Sequence, residues 1–166
     1  MTIRSLKNKA HLAMGVAAAS LNFFPSRSLS VVGVTGTDGK TTTSNLIYHI
    51  IRESGKKVAV ISTIGAIIDG KVYETGFHVT TPSPFAVQKY LAIAKKKGCT
   101  HVVLEVTSHA LDQWRVWGIH FTVGVLTNIT HEHLDYHKSY ERYVATKLRL
   151  FGMADTAVIN SNGEWF

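Results

Sequence analysis

A single cysteine, Cys99, stands in the whole chain of 166 residues. That scarcity excludes a disulfide framework and a zinc cluster built on several cysteines, and it suits a reducing compartment. No apolar run reaches the roughly 18–20 residues that cross a membrane as a helix. Internal repeats and low-complexity linkers are absent as well. Acidic residues are few: 11 Asp plus Glu face 18 Lys plus Arg, a net charge of +7 with the histidines neutral. The excess favours an anionic partner, be it nucleic acid, an acidic membrane or a phosphorylated small molecule. The cations are scattered, however. Their densest cluster, Lys95, Lys96 and Lys97, falls at a predicted helix end, where it complements the dipole. What the chain does have is apolar bulk. Hydrophobic residues make up 45% and charged residues 17%, which argues against disorder and for one domain of the usual ~100–200 residues.

Residues 1–11 carry Arg4, Lys7 and Lys9, and residues 12–24 are mostly apolar. This outline fits a secretory signal with a poor A-x-A site at Ala17 and Ala19, a helix packed on the domain, or an interfacial helix on a membrane. A single apolar stretch followed directly by Pro25 and the basic Arg27 leaves the three readings open.

The remainder alternates between strands and helices. Residues 30–35 (SVVGVT) form a short apolar run before a Gly-rich turn. From Thr42 to Glu53, Leu46, Ile47, Ile50 and Ile51 recur at helical spacing, and Gly55 is a natural stop. Residues 58–63 predict a strand, and Asp69-Gly70 between AII and KVY predicts a hairpin. Pro82 or Pro84 opens a helix that runs to Gly98. Further strands are expected at 101–107, 121–129 and 156–160, with helices at 109–117 and 139–152. Continuous apolar strands separated by helices predict an α/β fold, a mostly parallel sheet covered on both faces with a small hairpin insertion.

The strongest chemical signal is Thr35-Gly36-Thr37-Asp38-Gly39-Lys40-Thr41, between a predicted strand and a predicted helix. Glycines let successive N–H groups turn toward a phosphate, and the helix N-terminus adds positive partial charge. Lys40 would reach the terminal phosphates and the Thr41 hydroxyl would ligate Mg²⁺. The GxxxxGK[ST] pattern places a glycine at position 34, where Val34 stands and Gly33 lies one place early. A Gly-rich turn that only caps a helix is the plainer alternative.

Two more clusters end predicted strands, where a doubly wound sheet puts its chemistry. One runs from Glu105 to His109 (EVTSH), the other from Asn128 to His137 (NITHEHLDYH). Glu105 suits Mg²⁺, which takes oxygen ligands; it could equally cap the following helix. The zinc pattern H-E-x-x-H fails, because Leu134 follows His133 and Asp135 stands where His131-Glu132 would need a histidine. His131 and His137 also read as loop histidines in ordinary contact with solvent.

TGTDGKTTT, TTP at 80–82, EVTSHALDQWRV at 105–116, NITHEHLDYH at 128–137 and YERYVATKLRLF at 140–151 together resemble the Mur ligase family. The likeness runs in order from about residue 30 to 162. Within the family it points to members that extend UDP-N-acetylmuramoyl-L-alanyl-D-glutamate in peptidoglycan synthesis. The resemblance implies a P-loop domain in an ATP-dependent amide-bond ligase. ATP would phosphorylate a substrate carboxylate to an acyl phosphate, which an amino acid's amine then attacks. Folylpolyglutamate and cyanophycin synthetases and amidating homologues share TGTxGKTTT and are the alternatives among enzymes. A catalytically dead nucleotide-binding module is the alternative outside them.

Carried over by position, the resemblance makes residues 35–41 the ATP loop and Lys40 the group on the γ-phosphate. Thr41 and Glu105 match Mg²⁺ ligands, His133 a ligand of a second Mg²⁺, and Asn128 an asparagine near the nucleotide. Lys147 matches a lysine that CO₂ carbamylates; without the resemblance it reads as a solvated helix lysine. Thr80, Thr81, Thr107, Gln113 and Arg115 match contacts to the muramoyl substrate. Helix capping by Thr81 and Thr107 and a surface salt bridge by Arg115 are the alternatives. Trp114 and Trp117 are given no role. Asp38 stands where many relatives have asparagine, in a turn position that tolerates both.

The family's other domains grip the UDP end of the substrate and the incoming amino acid. We therefore expect residues 1–29 to form an apolar and basic helical segment in place of the UDP-binding domain. Residues 30–166 are expected to form most of the central ATP-binding domain, without the amino-acid-binding domain. The expected partners are small molecules, UDP-muramoyl dipeptide and an amino acid, with no nucleic acid. A cytoplasmic monomer is expected, and membrane contact through residues 1–24 stays open.

Overall fold

The computed structural model describes residues 3–75 and 80–161. Residues 1–2, at the start of the apolar and basic segment, lie outside the described residues, as do 162–166 at the end of the expected central domain. Helices α1 (Ile3–Leu21), α2 (Lys40–Glu53), α3 (Pro84–Lys96), α4 (Ser108–Asp112), α5 (Leu134–His137) and α6 (Tyr140–Leu148) surround one sheet. Its strands are β1 (Ser30–Thr35), β2 (Val58–Ser62), β3 (Gly65–Ile68), β4 (Lys71–Tyr73), β5 (His101–Glu105), β6 (Phe121–Leu126) and β7 (Ala154–Ile159).

The spatial order is β4-β3-β2-β5-β1-β6-β7. β2, β5, β1, β6 and β7 pair in parallel, and β3 and β4 add an antiparallel edge. β1 lies between β5 and β6, and the chain leaves it for β2, beyond β5. The order therefore reverses at β1, and a crevice opens at the carboxyl ends of β1, β5 and β6.

Both faces of β1, β2 and β5 are buried, which is why their sequences read as unbroken apolar runs, whereas β7 at the sheet's edge is mostly exposed. Val32, Val34, Val58, Val60 and Val103 meet α2 through Tyr48, Ile47 and Ile51. Val31, Ala59, Ile61, Val102 and Leu104 meet Val87, Leu91 and Ala94 of α3 on the other face. Cutting Leu91 back to Ala would cost about 2–5 kcal/mol at such a site. The α2 stripe departs from expectation. Ile47 and Ile51 face the sheet beside Ser44 and Tyr48, while Leu46 and Ile50 are 60% and 62% exposed.

The hairpin forms as expected, with Asp69 at φ 53° and Gly70 at φ 72° supplying the paired left-handed residues of a two-residue turn. Ser83 caps α3 by accepting the Ala86 N–H, so Pro84 is the opening proline. The expected helix at 109–117 shortens to α4, and the expected helix at 139–152 ends at Leu148 before a 3-10 turn at Phe151–Met153.

Helix α1 packs on the domain. Ala18 and Ala19 are fully buried, and a Cβ on Gly15 would come within 2.9 Å of the Trp114 carbonyl oxygen and 3.0 Å of Trp117 Cβ. The Phe24 ring lies 6.4 Å from that of Trp117. Of the three readings of this segment, the packed helix accounts for these contacts. No described helix is long and apolar enough to cross a membrane.

Candidate active site

The Gly-rich loop bridges the end of β1 and the start of α2. Gly36 is required by close approach, since a Cβ there would overlap Thr127 Oγ1. Gly39, at φ 74°, is the left-handed residue from which α2 starts without a side-chain cap. Its first N–H groups thus lack intrahelical partners and face the crevice end of the sheet. Gly33 plays a different part. A Cβ on it would come within 2.7 Å of the Phe121 ring, so it is a packing residue of β1, while Val34 is buried beneath α2. The missing glycine at position 34 is thereby explained: that position belongs to the strand.

The segment after β6 braces the loop. Asn128 Oδ1 accepts the N–H groups of Thr37 at 3.2 Å and Asp38 at 2.8 Å, and its Nδ2 donates to Asp38 O at 3.2 Å. Thr127 Oγ1 donates to Asp38 O at 2.7 Å. Lys40 Nζ folds back to donate to Thr37 O at 2.6 Å. The Thr35 hydroxyl, at the end of β1, is buried without a hydrogen-bond partner among the described residues.

Glu105, 1% exposed at the end of β5, receives a ring of donors. Thr41 Oγ1 lies 3.0 and 3.1 Å from its two oxygens. Thr63 adds its N–H at 3.1 Å and its hydroxyl at 3.2 Å. A buried carboxylate among hydroxyls is an oxygen-rich donor set that fits Mg²⁺. Thr63 escaped sequence reasoning, although it directly follows β2, the strand beside β5, where such residues gather.

Lys147 is 2% exposed. Its Nζ donates to Gly36 O at 2.6 Å and sits 4.5 Å over the ring of Tyr143, one turn earlier on α6. Burial, reinforced by the charge of Lys40, pushes its pKa down to about 7. The solvated-lysine alternative is therefore set aside. Lys147, Lys40, Tyr143, Glu132 and His133 line a cavity of about 20 Å³ with Gly36, Thr107 and Ser108. A cavity of about 500 Å³ between Phe24, Trp117 and Asp155 lies at the other end of β6 and β7, away from this cluster.

His133 is half-exposed, with φ 53° and Nε2 3.6 Å from Glu132 Oε2. Its ring meets that of His109 at 4.9 Å. Burial first, then the charges of His133 and Arg115, lower the pKa of His109. His131 lies exposed against Tyr140, at 4.4 Å. His137 departs from expectation: it is buried, with Nε2 3.0 Å from Ser108 Oγ, because α5 turns it inward. Among the described residues no three His, Cys, Asp or Glu side chains form a metal-binding group.

A second polar cluster lies beside Glu105. The Thr81 hydroxyl donates to Glu105 O at 3.0 Å and accepts the Thr107 N–H at 3.0 Å, so it pins strand to loop rather than capping a helix. Thr107 caps α4 by accepting the Ala110 N–H at 3.1 Å. Thr80 is half-buried next to Thr81. Arg115 donates to Gln113 Oε1 at 2.9 and 2.6 Å and to Thr81 O at 2.8 Å. Its bonds among the described residues go to neutral oxygens, and no salt bridge forms there. Burial lowers its pKa. Trp114 holds φ 54° between these two residues, which lets both side chains turn to one side.

Residues 34–166 match the family model described as the Mur ligase middle domain. A UDP-N-acetylmuramoyl-L-alanyl-D-glutamate–2,6-diaminopimelate ligase of Cytophaga hutchinsonii is 43% identical over 166 residues, covering 98% of this chain and 34% of the relative. A UDP-N-acetylmuramyl-tripeptide synthetase 2 of Oceanobacillus iheyensis is 42% identical over 161 residues, covering 93% and 32%. The chain thus spans about a third of the length of these curated relatives. A solved UDP-N-acetylmuramoyl-L-alanyl-D-glutamate–2,6-diaminopimelate ligase superposes with TM-score 0.78 at 30% identity, over 96% of this chain and 32% of that one. A bifunctional folylpolyglutamate synthase/dihydrofolate synthase with Mn, AMPPNP and L-glutamate bound superposes with TM-score 0.74 at 20% identity, over 93% and 43%, a likeness of fold alone.

Proposed function

The chain belongs to the Mur ligase family, and from that premise we propose that it carries the phosphoryl-transfer half of an ATP-dependent amide-bond ligase. The acceptor is the D-glutamate carboxylate of UDP-N-acetylmuramoyl-L-alanyl-D-glutamate, and a diamino acid supplies the amine. Residues 30–166 form the ATP-binding domain, and residues 1–29 the helical segment against it. A carboxylate is a poor electrophile. Transfer of the γ-phosphoryl group onto one of its oxygens, with ADP leaving, creates an acyl phosphate; the amine then adds to the acyl carbon and phosphate departs.

Most of the protein's part is positioning and charge neutralisation. The N–H groups at the start of α2 receive phosphate, and Lys40 offsets charge on the transferring group. Thr35, Gly36, Thr37, Asp38 and Asn128 keep the loop in shape around it. Thr41 and Glu105 would hold Mg²⁺, which when bound neutralises phosphate charge; Thr63 keeps Glu105 aimed. Arg115, presented by Gln113 and Thr81 with Thr80 and Thr107 beside it, suits the anionic acceptor.

The observation that carries the reading is Lys147, a buried lysine at the phosphate loop. A generic nucleotide-binding turn has no use for it. With a pKa of about 7 much of it is free amine near neutrality. The amine can add to the carbon of CO₂, forming an N–C bond and releasing one proton to solvent. The carbamate keeps an N–H for Gly36 O and presents anionic oxygens to the cavity shared with His133, where the two would hold a second Mg²⁺. Neutralising a buried cation in this way suits a site meant for metal-bound phosphate.

The test uses an enzyme carrying this domain and an acceptor labelled with ¹⁸O in the D-glutamate carboxylate. Label appearing in released phosphate supports the acyl phosphate. Turnover with a folate acceptor but not with the muramoyl dipeptide would overturn the substrate assignment.

A further inference from the structure

Thr37 Oγ1 is a hydrogen-bond junction. It accepts the Thr130 N–H at 2.9 Å, lies 3.1 Å from the Tyr143 hydroxyl, and donates to Thr130 O at 3.4 Å. A hydroxyl offers one donor and two acceptor sites, so with Tyr143 donating, Thr37 is fully used. The carbonyl of the same residue carries Lys40 Nζ at 2.6 Å.

Tyr143 is fully buried on α6, four residues before Lys147 and therefore on the same helix face. Burial pushes its hydroxyl up to about 12, so it remains a neutral phenol throughout the working range. Tyr143 reaches the side chain of Thr37, while Lys147 reaches the carbonyl of the preceding Gly36. Two successive turns of one helix thus hold two successive residues of the loop. A buried phenol needs a partner, and here the partner is the loop.

We infer that Tyr143 is a positioning residue for nucleotide binding, acting through Thr37 on the loop and on Lys40. The inference rests on reading residues 36–41 as a nucleotide loop. Tyr143 acts on the loop and not on the phosphate itself. It removes the freedom of Thr37 to turn, so the loop meets the nucleotide already shaped.

The test is a calorimetric titration of the chain with Mg·ATP in the wild type, Tyr143→Phe, Thr37→Val, the double variant and Thr37→Ser. Tyr143→Phe and Thr37→Val should each weaken binding by about three- to ten-fold, the scale of one hydrogen bond. The double variant should bind no worse than Thr37→Val, and Thr37→Ser should stay close to wild type. In the Thr37→Ser background, Tyr143→Phe should cost its full factor again. Losses that multiply in the double variant, or unchanged binding in Tyr143→Phe, would overturn the inference while leaving the nucleotide reading intact. No binding by folded wild type would remove both. Thr37→Ala takes the place of Thr37→Val if the latter does not fold.

Discussion

Lys147 Nζ lies 2.6 Å from the carbonyl oxygen of Gly36, a residue 111 positions earlier in the chain. The bond joins the last described helix to the loop after the first strand. It has a consequence for stability as a function of pH. The lysine ionises at about 7 in the folded chain against 10.5 when free. Between those values the unfolded chain binds the extra proton, so this contribution makes stability rise as pH increases from about 7 to 10.5. Lys147→Met removes it. The stability advantage of Lys147→Met over wild type should be greatest at pH 7 and below and shrink toward pH 10. Urea unfolding in CO₂-free buffer across that range checks this, and a difference independent of pH would contradict it.

Thr63 should matter to metal-dependent binding although it lies outside the Gly-rich loop. Thr63→Val keeps the N–H on Glu105 but removes the hydroxyl. Binding of ATP should weaken several-fold in Mg²⁺ and stay unchanged in EDTA, an effect on the order of one hydrogen bond to a charged group. Equal losses in both conditions would mean that Thr63 supports the loop in general and not the carboxylate.

Gly36→Ala should be far more damaging than its size suggests, because its Cβ would overlap Thr127 Oγ1. The loop must shift, and Mg·ATP binding should fall by at least ten-fold, about 1.4 kcal/mol. Thr127→Ala in the same chain should recover part of the loss by opening space. An unaltered affinity in Gly36→Ala would show that the loop can relax at no cost.

Helix α1 can be examined without any ligand. Gly15→Val pushes a side chain into the Trp114 carbonyl and Trp117, and overpacking of this kind costs about 1–3 kcal/mol. The urea midpoint should drop accordingly, with an unchanged slope. A midpoint equal to wild type would mean that α1 does not pack as described.

The sequence carried the fold where burial was unambiguous. Unbroken runs such as SVVGVT and VAVIS announce strands covered on both faces, and the Asp69-Gly70 turn needs only local backbone chemistry. Helix α2 was legible as a helix but not in its orientation. Four apolar residues span two adjacent stripes, and only contact with Val58, Val60 and Val103 selects Ile47 and Ile51 over Leu46 and Ile50.

The site was legible in its motifs and opaque in its connections. Lys40, Thr41 and Glu105 announce themselves by spacing and by their place at strand ends. The donors that Thr63 gives Glu105 and the bond from Tyr143 to Thr37 are tertiary, made across 42 and 106 positions of chain. His137 misleads for the same reason. A polar loop in sequence becomes a buried turn only when α5 places that ring against Ser108.

If residues 36–41 form a working phosphate loop, a thermal-shift titration with Mg·ATP will show it. Ligand that binds only the folded state raises the melting temperature by mass action, by about 2.7 kcal/mol of stability at one hundred times Kd. The wild-type chain should show a saturable rise that Lys40→Ala abolishes without lowering the melting temperature of the ligand-free chain by more than a few degrees. A folded wild-type chain whose melting temperature does not move, or a rise that survives in Lys40→Ala, would contradict a working phosphate loop.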